Sequence, residues 1–215
     1  MSLKVLLTGD VNLMNVTDPS VPFARVADEF RSADLVISNL ECCFYEPDAA
    51  HALDREGFFA PLAAVEALKL AGIGAVGIAN NVNYGTAPIL SSIARLDQLG
   101  IPHTGAGANL QKAREPVMLE RQGLRVGLLQ RTSVFWTTDH EAADNAVGVA
   151  TIRGHTAYQV PMFRAGPGAI PLNRPGVPPA IVTWADPPVI AALPRRRRGA
   201  QGEVRYRHRL RHGSK

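Results

Sequence analysis

The sequence predicts an α/β domain built on a parallel sheet, and three observations carry that prediction. Short aliphatic, β-branched runs alternate with stretches of helical periodicity. Each of the first three runs gives way at its C-terminal end to polar, turn-forming residues. A later pair of runs is separated only by Gln122-Gly123, which predicts an antiparallel hairpin beside the parallel elements.

The elements follow in order. "LKVLLT" (3–8) reads as a first strand, and "FARVADEFRSA" places apolar residues at helical three- and four-residue spacing. "DLVIS" (34–38) is a second strand. "PLAAVEALKLAG" (61–72) is a helix, with Pro61 suited to its first turn and Gly72 to its stop. "IGAVGIA" (73–79) is a third strand, "APILSSIARLDQLG" (87–100) a third helix, and 116–130 the hairpin. From 153 to 179 proline and glycine dominate, which predicts a long surface loop. "PAIVTWAD" (179–186) reads as one more strand. The expected organisation is a folded domain over 1–186 and a basic, disordered tail over 187–215.

Bulk properties exclude several classes. An apolar fraction of 46% with 20% charged residues fits a globular chain. No apolar run approaches the roughly 20 residues needed to span a bilayer. The first apolar run is too short for a signal peptide, so a cytoplasmic setting is expected. The only two cysteines, Cys42 and Cys43, are adjacent; they exclude a disulfide framework and read as buried thiols. The chain has 23 basic and 19 acidic residues, but eight arginines and Lys215 lie in 195–215 against the single acid Glu203. Subtraction leaves 14 basic and 18 acidic residues in the body, −4, beside a tail of +8. The high pI belongs to the tail and argues against nucleic acid as the main partner.

The C-terminal ends of parallel strands lie along one sheet edge, where ligands bind. The first strand ends in "TGDVN", with Asp10 and Asn12. The second ends in "SNLE", with Asn39 and Glu41, and the third in "ANN", with Asn80 and Asn81. Taken singly, an Asp after Gly is a turn residue and an Asn a cap. Their coincidence at three successive strand ends points to hard oxygen donors for a divalent cation.

"LLTGDVNLM", "ADLVISNLE", "FFAPLAAVEALKLAGIGAVGIANN", "LDQLGIPHTGAGANLQKAREP" and "LRVGLLQRTS" together resemble the CapA capsule-synthesis (poly-γ-glutamate) family over most of 3–186. The resemblance implies a calcineurin-like metallophosphoesterase sandwich (αββα), of which this chain carries the first half. It implies a hydrolase-like centre with Asp10, Asn12, Glu41, Asn80 and Asn81 as metal positions, Mn²⁺, Mg²⁺ or Zn²⁺ as the ion, and an anionic substrate, small or polymeric. It assigns no catalytic residue. The family places histidine directly after the two asparagines and aspartate before the following glycine; here the stretch is Val82-Asn83-Tyr84-Gly85. Its later His-Trp-Gly and Gly-His-x-x-His motifs are absent, and His51, His140 and His155 read as surface or loop residues. Weak divalent binding and little phosphoesterase activity are therefore expected. The arginine-rich tail reads as a frameshifted end of the reading frame. The competing reading is a noncatalytic binding module that uses this basic arm for nucleic acid or anionic surfaces.

Overall fold

Residues 2–47, 57–136, 138–153, 155–159 and 180–184 are described by the structure, a computed structural model. The chain divides into two units, Met1–Gly154 and His155–Lys215. In the first, the elements run β1 (Val5–Val11), α1 (Ala27–Arg31), β2 (Leu35–Leu40), β3 (Cys43–Phe44), β4 (Phe59–Ala60), α2 (Glu66–Ala71) and β5 (Ala75–Gly77). They continue with α3 (Thr86–Gln98), β6 (His103–Thr104), β7 (Ala106–Gly107), α4 (Leu110–Arg114), β8 (Val117–Arg121), β9 (Leu124–Leu128) and β10 (Gly148–Val149).

The expected parallel sheet is present, with four strands in the order β1-β2-β5-β6. Its two faces are buried differently, because side chains alternate along a strand. On β2, Val36 and Leu40 join the main core with Val76, Leu68, Ile89 and Leu96. Leu35 and Ile37, one residue out of phase, face the β8–β9 hairpin together with Ala75, Leu119 and Val126. The hairpin covers the second face only in part: Leu7 of the edge strand β1 stays 75% exposed. Its turn falls at Gln122-Gly123 as the sequence predicts, both with positive φ (51° and 74°), the twist that two-residue hairpins favour.

Local chemistry sets several boundaries. Pro61 precedes a short 3₁₀ turn, Leu62–Val65, that leads into α2, and Gly72 closes the helix in the left-handed conformation. Asn109 caps α4 by accepting from the Lys112 amide. The two-residue strands and the five-residue α4 have no period for a sequence to display. Between β1 and β2 the register runs Leu7↔Ile37 and then Asp10↔Asn39, so Thr8-Gly9 holds one extra residue, a bulge.

In the second unit, β11 (His155–Gln159) pairs antiparallel with β12 (Ala180–Trp184), from His155↔Trp184 to Gln159↔Ala180. The strand expected over 179–186 is present. The loop expected over 153–179 is not loop throughout: "HTAYQ" has the β-forming Thr and Tyr of a strand, obscured in the sequence by the proline and glycine that follow it. Residues 160–179, the expected 186/187 boundary and the basic tail lie outside the described residues.

Candidate functional site

Asp10, Asn39, Glu41 and Asn80 come together at the C-terminal edge of adjacent strands. The bulge brings Asp10 level with Asn39, which shares the β2 face of Leu35 and Ile37. Asn39 Nδ2 donates to Asp10 Oδ1 at 2.6 Å. Asn39 Oδ1 accepts from Gln130 Nε2 at 2.7 Å and from Asn80 Nδ2 at 3.4 Å. Gln130, two residues beyond β9, reaches across the sheet end and accepts from the Ala79 amide at 2.6 Å. Gly77 makes room for it: a Cβ there would overlap the Gln130 carboxamide.

The asparagines brace the strand ends. Asn80 Nδ2 donates to the Leu40 carbonyl at 2.7 Å and so fixes the residue before Glu41. Asn80 Oδ1 accepts from the Val82 and Asn83 amides at 3.1 and 3.0 Å, which engages both its lone pairs in its own turn. Asn12 Oδ1 likewise accepts from the Met14 amide at 2.9 Å. The Asn81 carbonyl accepts from Trp136 Nε1 at 3.1 Å. Asn83 donates to the carbonyls of Ile78 and Leu40, so it is a buried strut between the two strand ends.

Glu41 has its pKa raised, first by partial burial and then by the charge of Asp10. The folded state thus binds the Glu41 proton more tightly than the unfolded chain does. Its stability falls as pH rises through and above the ordinary glutamate range. Glu41→Gln is accordingly expected to raise the melting temperature at pH 7 in chelator and to lose that advantage near pH 4, as read by thermal melts at the two pH values.

His140 lies in a turn, as a loop histidine should, but it is not at the surface: it is fully buried. Its Nδ1 accepts from the Trp136 amide at 2.9 Å, which leaves Nε2–H to donate to the Asn80 carbonyl at 2.9 Å. Tyr84 packs edge-on against the ring. Burial lowers the His140 pKa, so the ring is neutral near pH 7. The polar neighbours Thr138, Asp139 and Glu141 hide this burial in the sequence. Gln130 carried one signal, as a carboxamide that ends an apolar strand. Cys42 and Cys43 are buried as expected, with thiols pushed up by burial to about 11 and about 12, which leaves them unreactive.

Among the described residues no three His, Cys, Asp or Glu side chains group to hold a metal ion. The carboxylates that meet at this edge are the pair Asp10 and Glu41. A hard cation that keeps much of its water, such as Mg²⁺ or Mn²⁺, fits that set; Zn²⁺, which favours nitrogen and sulfur donors in a closed shell, fits it less well.

A parallel four-stranded sheet with helices and a hairpin packed against it defines a mixed α/β protein. The family model described as bacterial capsule synthesis protein PGA_cap matches residues 4–167, and the chain belongs to that family. No curated protein matches the chain. Among the described residues, no helix is long and apolar enough to cross a membrane.

Proposed function

We propose that this capsule-synthesis family member holds a divalent cation weakly between Asp10 and Glu41 and uses that edge to bind an anionic substrate, with a polyanion such as poly-γ-glutamate as the favoured class. The observation that supports this reading is the raised pKa of Glu41, caused first by partial burial and then by the charge of Asp10, a charge pair that a cation would neutralise. In this reading the four-stranded sheet and its helices form part of one half of a metallophosphoesterase-like sandwich.

Each residue has a part. Asp10 and Glu41 hold the ion, Asn39 orients Asp10, and Asn80 fixes the chain at Leu40 so that Glu41 stays beside it. Asn12 and Asn81 shape the loops at the rim. A bound cation would supply charge neutralisation and polarise a carbonyl or phosphoryl oxygen. His140, which lies behind this edge, is buried and spends both ring nitrogens on the backbone, so it does not serve as a general acid and hydrolysis is expected to be slow.

Calorimetry with Mn²⁺ on wild type and Asp10→Ala tests the reading. Even outer partners of a metal cost about 10- to 100-fold in affinity when removed, so losing a carboxylate ligand should cost at least that. Identical isotherms would remove Asp10 from the site.

A further inference from the structure

We infer that His140 is the positioning residue of the carboxylate edge, acting through the Asn80 carbonyl. This rests on the reading of Asp10 and Glu41 as an ion-binding pair, but its geometry stands apart from any ion. His140 belongs to neither the sheet nor the strand ends. With Trp136 and Asp139 it joins the 80–85 loop at three points. His140 Nε2 donates to the Asn80 carbonyl, Trp136 Nε1 to the Asn81 carbonyl, and the Gly85 amide to the Asp139 carbonyl at 3.2 Å.

The His140 link differs from the other two in what lies behind it. It holds the main chain of Asn80, whose side chain, with that of Asn83, reaches the end of β2. From Asn80 the carboxamide reaches the Leu40 carbonyl at 2.7 Å and, more weakly, Asn39 Oδ1 at 3.4 Å. From Asn39 the next bond, at 2.6 Å, ends on Asp10. Both acids are thus placed by groups that Asn80 contacts, and Asn80 is placed by a buried imidazole. The imidazole can do this in one tautomer only, because Trp136 claims Nδ1 as an acceptor. An apolar residue of similar volume would fill the space but leave the Asn80 carbonyl and the Trp136 amide unpaired.

Two near-isosteric variants separate positioning from packing. In H140N the carboxamide reaches the position of Nδ1 and can keep the Trp136 bond, but it falls short of Asn80. In H140Q the longer carboxamide reaches the position of Nε2 and keeps the Asn80 bond. The readouts are the side-chain ¹⁵N–¹H signals of Asn39 and Asn80, recorded without metal, and Mn²⁺ affinity by calorimetry. H140N is expected to move both signals toward those of solvated asparagine and to weaken Mn²⁺ binding about tenfold, the low end for a residue behind a ligand. H140Q is expected to retain wild-type signals and affinity. If the two variants behave alike, or if H140N lowers the melting temperature while the Asn39 and Asn80 signals stay in place, the inference is overturned and His140 only fills the core. Absence of Mn²⁺ binding by wild type would refute the ion-binding function, while the metal-free amide signals would still decide the role of His140.

Discussion

Gly148→Ala is expected to lower the free energy of unfolding by about 3 kcal/mol or more, at the upper end of what overpacking costs. Gly148 pairs with Gly107 in the β7–β10 ladder. A Cβ on Gly148 would overlap the His140 carbonyl oxygen, the Glu141 carbonyl carbon and the Ala142 amide nitrogen, all main-chain atoms. A side chain can rotate away from such an intruder, but backbone cannot. The same segment bonds back to the strand, Val149 amide to His140 carbonyl at 2.7 Å and Ala142 amide to Val149 carbonyl at 3.0 Å, so it cannot retreat without breaking the ladder. Net stability of a domain this size is about 5–15 kcal/mol, so the loss is a large share of it. Urea denaturation measures the change, and a midpoint equal to that of wild type would show that the 140–142 segment yields easily.

Gly77→Ala is expected to cost about 2–3 kcal/mol and to dismantle the strand-end network at the same time. The added methyl would take the place of the Gln130 carboxamide, which must then release the Ala79 amide and Asn39. Two hydrogen bonds at about 1 kcal/mol each are lost, and the Ala79 amide is stranded in the interior. Because the clash and the lost bonds share one partner, the effects should not add. The double variant Gly77→Ala/Gln130→Ala should be about as stable as Gln130→Ala alone. Denaturation of wild type and the three variants closes the cycle, and additive losses would place the damage elsewhere.

The carboxylate edge was legible in the sequence because its signal is local: Asp10, Glu41 and Asn80 each stand just beyond or at the end of an apolar run. That they meet follows from strand order, which the repeated strand–helix alternation implies. What was not legible depends on contacts far apart in the chain. Gln130 serves residues 39 and 79, and His140 serves residue 80, through single hydrogen bonds that no periodicity announces. The stretch Val82-Asn83-Tyr84-Gly85 read as lacking a histidine, yet the Asn83 carboxamide in it ties two carbonyls into the core. Glycine carries a similar lesson. Gly77, Gly107 and Gly148 each lie within a strand, where glycine weakens pairing unless another group must come close.

The extra residue at Thr8-Gly9 bears on how this strand tolerates changes of length. In an ordinary strand, removing one residue turns every later side chain to the opposite face. Here Leu7 is already opposite Ile37 and Asp10 opposite Asn39, so the partner strand advances by two positions while β1 advances by three. Excision of Gly9 would equalise the count and leave Asp10 on the same rung. The strand thus carries a spare link ahead of its only acid, and shortening it there would straighten the kink and leave the carboxylate facing the same way.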